Sequence, residues 1–152
     1  MKNVHVECKP DELLISKLGF TRKTIIHHSG KSRVFNKLNK ITDQVAMVDE
    51  DPGSAKTNYE KSLRLIKEGE RLKYFTDKSG NKIVILAGKL EDWIIKACHQ
   101  QNIKLEKYKL SEKPNELHEI INQKLPNFEK LIDELINKKN PAILKLKQFL
   151  LN

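Results

Sequence analysis

The segment Val45-Ala46-Met47-Val48 is apolar without alternation, and it stops on Asp49-Glu50-Asp51 followed at once by Pro52-Gly53. A strand that is apolar on both of its faces belongs at the centre of a sheet covered by helices on both sides. That requirement commits the chain to an α/β architecture. A second apolar run, Val4-His5-Val6, stops on Glu7. If the two runs are parallel strands, Glu7, Asp49 and Asp51 leave the sheet together at its carboxyl edge, where open α/β sheets hold their ligands. Carboxylates gathered there repel one another unless a hard cation sits among them.

The remaining punctuation extends this frame. Residues 3–8 read as the first strand, and Pro10-Asp11-Glu12 opens a helix that runs to Leu18 and stops at Gly19. Thr24–His28 reads as a second strand, and Ser29-Gly30-Lys31-Ser32 turns into a helix carrying Val34, Leu38 and Ile41 at helical intervals. The spacing of Tyr59, Leu63 and Ile66 predicts a charged helix over about residues 56–68. Leu72–Phe75 and Ile83–Leu86 flank Asp77-Lys78-Ser79-Gly80-Asn81, the pattern of an antiparallel hairpin at a sheet edge. Gly88-Lys89-Leu90-Glu91-Asp92-Trp93 leads into a helix ending near Gln101, and residues 104–114 read as a loop or short strand. From Asn115 onward the pattern is helical only, divided by Pro126 and Pro141. The expected organisation is an α/β domain over residues 1–110, with a mostly parallel sheet and an antiparallel edge hairpin. A helical C-terminal extension over 111–152 packs on the same domain.

Charge narrows the partner. The chain of 152 residues carries a formal net charge of +9, and residues 53–111 hold 13 basic against 7 acidic groups. A basic surface around an acidic notch suits a polyanion whose backbone meets a metal, although surface lysines also serve solubility alone. Aromatic residues make up only 6%, which disfavours a base-stacking platform for single strands. No apolar stretch reaches the roughly 18 residues of a membrane span, and the start lacks the apolar core of a signal peptide. The expected location is the cytoplasm, without a membrane partner. Cys8 and Cys98 stand in no metal-ligand spacing and read as free thiols in a reducing compartment.

Several motifs carry possible chemistry. Residues i and i+2 of an extended segment point the same way, so Asp49 and Asp51 can share a cation while Glu50 faces elsewhere. A solvated loop with helix-capping acids is the plainer alternative. Gly30-Lys31-Ser32 has the tail of a phosphate-binding loop, but the upstream glycine that G-x-x-x-x-G-K-[ST] needs is Ile25 here, which removes an ATP-hydrolysing site. Lys31, with Arg33 beside it, can instead hold one phosphate of a nucleic-acid backbone at the helix start. Lys56 and Lys89 add to the same basic field. Glu91 begins a helix at another strand end and can complete a second metal position, whereas an ordinary helix-start acid next to a core Trp93 is the structural alternative. His27 and His28 face opposite ways, so at most one reaches the site.

The order Val6-Glu7-Cys8-Lys9-Pro10-Asp11-Glu12, then Gly30-Lys31-Ser32-Arg33-Val34, then Val48-Asp49-Glu50-Asp51 resembles the Toprim domain family, in particular its nuclease branch, the overcoming-lysogenization-defect nucleases. The resemblance covers roughly residues 3–100. It implies a Rossmann-like α/β unit that binds Mg²⁺ (or Mn²⁺) through Glu7, Asp49 and Asp51. Glu91 stands near an aromatic, as a further acid does in that branch. The implied activity is metal-dependent hydrolysis of nucleic-acid phosphodiesters, DNA or RNA, with Lys31 steadying the developing charge. Because the chain holds no ATPase segment, a separate partner chain, an ATPase or another protein, is a further expectation, and the apolar face of the last helices can pair with a second copy. The family usually has glycine where this chain has Cys8. That departure motivates an alternative, a catalytically silent module of the same fold that grips nucleic acid or a protein. A phosphoacceptor domain, with Asp49 accepting and Lys89 assisting, is a third reading. It lacks the second acid expected after the first strand.

Overall fold

The computed structural model describes residues 2–152. Six strands form one sheet in the order β2-β1-β3-β6-β5-β4. They are β1 (Val4–Val6), β2 (Ile25–His27), β3 (Val45–Asp49), β4 (Arg64–Gly69), β5 (Leu72–Thr76) and β6 (Lys82–Leu86). The pairings β1 with β2, β1 with β3 and β3 with β6 are parallel; β6 with β5 and β5 with β4 are antiparallel. The protein is therefore α/β, mostly parallel, with an antiparallel edge pair.

Among the described residues seven α-helices accompany this sheet: α1 (Lys9–Lys17), α2 (Lys31–Leu38), α3 (Asn58–Lys61), α4 (Leu90–His99), α5 (Pro114–Ile120), α6 (Leu125–Asn137) and α7 (Pro141–Leu151). One face of the sheet, carrying Val4, Val6, Val45, Met47, Val84 and Leu86, packs under α1, α4, α6 and α7. The opposite face, carrying Ala46, Val48, Ile83 and Ile85, packs under Val34, Phe35 and Leu38 of α2. That Val45 to Val48 divide between two apolar layers explains why this strand has no polar alternation. The route of the chain matters more. It passes from β1 through α1 to β2 on one side, then returns through α2 on the other face to β3, on the far side of β1. Adjacent β1 and β3 thus form the switch point of the sheet, whose carboxyl edge is where open α/β sheets hold their ligands.

The C-terminal helices belong to the core. Phe128, Leu131, Ile132 and Leu135 of α6 are fully buried, each contributing about 1.5–3 kcal/mol. Helix α7 starts with Pro141 in its first turn and Asn140 as cap, whose Oδ1 accepts from the amides of Ala142 and Ile143. The Asn140 Nδ2 donates to the Ala97 carbonyl at 2.8 Å, which ties the cap to α4.

The helix expected over 56–68 is not what forms. Only the single turn α3 is helical, and Arg64–Gly69 is the exposed edge strand β4. Tyr59 and Leu63 do pack on the second apolar layer, whereas Leu65 and Ile66 are 46% and 39% exposed. Pairing with β5 outweighs the weak helical spacing, a common override of local preference. The segment 104–114 holds a short 3-10 turn, Leu105–Tyr108.

Candidate functional site

Four strand exits converge at the carboxyl edge. Glu7 follows β1, Lys31 opens α2 after β2, Asp49 and Asp51 end and follow β3, and Glu91 lies in the first turn of α4 after β6. The Glu7 Oε2 accepts the Asp49 backbone N–H at 2.8 Å, which places the Glu7 carboxylate beside the end of β3. Burial raises the Glu7 pKa above its ordinary value; the Asp49 amide and the Lys31 ammonium pull it down, and the Asp51 charge adds to the rise.

Asp49 feels the strongest pressure of the expected ligands. Burial first, then the negative charges of Glu7 and Glu91, push its pKa up to about 7. The Leu90 amide at the start of α4 acts against this, and the Asp51 charge adds a further small rise. One carboxylate oxygen, Oδ1, is buried without a hydrogen-bond donor. A carboxylate held in such a place awaits either a proton or a positive partner.

Asp11 is the residue that sequence reading missed. It lies in the first turn of α1, 1% exposed, and neither carboxylate oxygen has a hydrogen bond of good geometry; the Cys8 thiol and the Glu7 backbone are the polar groups beside it. Burial, Asp49 and Glu7 in that order hold its pKa well above the ordinary carboxylate range. The available signal was its position four residues after Glu7 on a chain leaving a buried strand. The acids of Pro10-Asp11-Glu12 are ordinary company for a helix start, and that explanation hid it. Cys8 caps the same helix, and burial followed by the Asp11 charge raises its thiol pKa far above the usual range. As a thiol it is no nucleophile.

The loop after β3 is held rather than loose. Asp51 takes a left-handed backbone, φ 48°, and its Oδ2 accepts from the Ser54 hydroxyl. Its amide donates to the Gly88 carbonyl at 3.0 Å, and the Gly88 amide donates to Glu50 Oε1 at 3.0 Å. Gly88 itself has φ +72°, and a Cβ there meets Asp92 Oδ2 at 3.0 Å. Asp92 in turn accepts from the Lys89 amide and so starts α4. Glycine is required at this crossing.

The basic residues divide into two kinds. Lys31 points inward: its Nζ donates to the Glu50 carbonyl at 2.8 Å and pairs with Glu60 at 3.2 Å. It braces the acidic loop and faces Glu7 electrostatically. Arg33, Lys56 and Lys89, with Lys9 at the start of α1, are exposed at loops or helix starts beside the carboxyl edge. Glu91 is 5% exposed and lies 3.4 Å from His118 Nδ1 of α5. Trp93 is buried, with its indole N–H donating to the Glu70 carbonyl. His27 is exposed, while His28 Nε2 meets His5 Nδ1 at 2.9 Å, and His5 Nε2 meets Gln44 at 2.6 Å. That pair lies on the α2 side of the sheet, near Lys37.

Among the described residues no three His, Cys, Asp or Glu side chains already converge as an ion-binding set. The donor chemistry nevertheless fits a hard cation: an all-oxygen set of Glu7, Asp49, Asp51 and Asp11, with orphaned buried oxygens on Asp11 and Asp49. Comparisons of the chain with protein families, curated proteins and solved structures find no match. No helix among the described residues is long and apolar enough to cross a membrane.

Proposed function

We propose that this chain is a Mg²⁺- or Mn²⁺-dependent phosphodiester hydrolase of Toprim type that acts on nucleic acid. One observation carries the reading: the ends of β1 and β3 hold Glu7 against the Asp49 amide at 2.8 Å, and the Asp51 charge lies near enough to raise both pKa values. Such a cluster destabilises a protein that has no use for it. A divalent cation bound there supplies an activated water and neutralises phosphate charge. Glu7 and Asp49 are the residues that hold it, with Asp51 and Asp11 as the adjoining carboxylates and Glu91 behind Asp49. Lys31 keeps the Glu50 carbonyl fixed and so orients both aspartates. Lys9, Arg33, Lys56 and Lys89 attract the phosphate backbone and hold it along the carboxyl edge.

The test is cleavage of labelled single- and double-stranded DNA and RNA with Mg²⁺, with Mn²⁺ and with chelator. Activity in either metal that is lost in Asp49→Asn and Asp51→Asn supports the hydrolase. The internal engagement of Lys31 with Glu60 favours a second reading, a silent module that only binds. Its signature is nucleic-acid binding that is unchanged by chelator and by Asp49→Asn, with no cleavage under any metal.

A further inference from the structure

A cavity of about 310 Å³ lies on the other side of the β3 exit, lined by Glu50, Glu68, Gly69, Arg71, Leu72, Lys73, Ile85 and Ala87. It exists because the segment expected to form a helix over this face runs instead as β4. The α2 layer reaches only as far as Ile83 and Ile85. Asp49 and Glu50 are neighbours on an extended backbone and face opposite ways. Asp49 lies in the acidic notch, and Glu50 forms part of the wall of the cavity. The cavity and the notch therefore adjoin the same strand exit, on either side of the Asp49–Glu50 backbone.

The lining describes what enters. Ile85 and Ala87 give an apolar surface on which a flat ring can lie, while Leu72, whose side chain is buried in the other layer, borders it through its backbone. Arg71 is half-buried, with Nε and Nη2 both buried and without a hydrogen-bond partner. These two N–H groups form one edge of the guanidinium, the edge that takes two adjacent acceptors at once. Glu50 and Glu68 are acceptors, with Glu50 giving only Oε1 to the Gly88 amide. Two acids and two bases balance, so a free anion gains little here, while a neutral ring with paired acceptors next to donors gains on both counts. Among the four bases only guanine offers that edge sequence: O6 and N7 accept side by side, and N1–H and the N2 amine donate next to them.

The turn that carries Arg71 is built at some cost. Glu70 and Arg71 join β4 to β5 with φ of 51° and 58°, a conformation usually left to glycine or asparagine. Both carbonyls are nevertheless anchored, Glu70 by the Trp93 indole and Arg71 by the Ala87 amide, each at 3.0 Å. The hairpin is thus fixed over β6 with an arginine where a smaller residue folds more easily. A short swing of the side chain into the cavity exchanges an unpaired edge for a paired one.

We propose that this cavity is a guanine pocket, which holds one base of the strand engaged at the acidic notch. The strand as the source of the base rests on the nucleic-acid reading; the pocket does not. Calorimetric titration of the protein in chelator, where the notch plays no part, separates the two. GMP is expected to bind at least about tenfold more tightly than AMP, the discrimination of one bidentate arginine contact. Arg71→Lys and Ala87→Leu, which remove the fork and fill the recess, are expected to abolish that preference. With Ca²⁺ in place of chelator, so that the notch is filled without supporting cleavage, a tetranucleotide with a single guanine among thymines is expected to bind more tightly than GMP. Equal affinity for GMP and AMP, displacement of GMP by inorganic phosphate, or wild-type GMP binding by both variants overturns the pocket. A tetranucleotide that binds more weakly than GMP in Ca²⁺ overturns the strand as its source. Should a variant lose its fold by circular dichroism, the GMP-to-AMP ratio of the unaltered protein decides alone.

Discussion

Glu7 accepts the backbone amide of Asp49 at 2.8 Å, so the side chain leaving β1 fastens the last residue of β3. One carboxylate thus has two tasks, closing a hydrogen bond between strand ends and contributing charge to the notch. Substitutions separate them. Glu7→Gln keeps an acceptor and removes the repulsion, so the metal-free protein retains its stability or gains some. Glu7→Ala leaves the Asp49 amide without that partner and costs about 1–3 kcal/mol. Urea denaturation of both variants in chelator measures the difference.

Asp11→Asn stabilises the metal-free protein at pH 7, by about 1.4 kcal/mol for each unit by which burial and its acidic neighbours raise the Asp11 pKa. Its carboxylate is buried, weakly supported by the Cys8 thiol and the Glu7 backbone, and close to two further negative groups. With saturating Mg²⁺ the advantage shrinks, because the cation stabilises the native protein with the full set of acids more than the variant. Thermal melts of both proteins with and without Mg²⁺ test this. A lower melting temperature for Asp11→Asn in chelator contradicts the account.

Gly88→Ala strikes the crossing of the two acidic loops. The added Cβ meets Asp92 Oδ2 at 3.0 Å in a backbone with φ +72°, which costs about 2 kcal/mol. The displaced Asp92 also releases the Lys89 amide at the start of α4. The expected result is a lower denaturation midpoint, together with weaker divalent-cation affinity.

A pH dependence follows from α6. The Tyr108 hydroxyl, then Lys138, then Lys107 hold the Glu134 carboxyl at about 2, below the ordinary glutamate value of 4.5. A lowered folded-state pKa contributes stability above the unfolded value, and this contribution fades as pH falls from 4.5 through about 2. Glu134→Gln is therefore less stable than the unaltered protein at pH 7 and equal to it near the bottom of that window. Denaturant midpoints taken across the range show a gap that closes with acid.

Much of this was legible from residues alone, and for physical reasons. The unalternating Val45–Val48 run fixed a doubly covered strand, and Pro10, Asn140 and Pro141 marked helix starts that did form. The Asp77–Asn81 turn between β5 and β6 also formed, with the Asp77 Oδ1 accepting from the Ser79 and Asn81 amides. The segment 56–68 was misread because Tyr59, Leu63 and Ile66 mimic a helical face, while the strand identity of Arg64–Gly69 comes from β5, across the hairpin. At the site, the meeting of Glu7 with the Asp49 segment was visible as two strand ends. Asp11 was not, because an acid in the first turn of a helix has an ordinary explanation until its burial is known. The inward turn of Lys31 was equally hidden, since its partners Glu50 and Glu60 are 19 and 29 residues away.

The central claim is that the strand ends carrying Glu7 and Asp49 form one cation site. Crystals grown with Mn²⁺ and measured for anomalous scattering test it most directly. The account predicts a peak within about 2.5 Å of both a Glu7 and an Asp49 carboxylate oxygen. A well-ordered notch without that peak, at Mn²⁺ concentrations well above those of ordinary metalloenzymes, contradicts it.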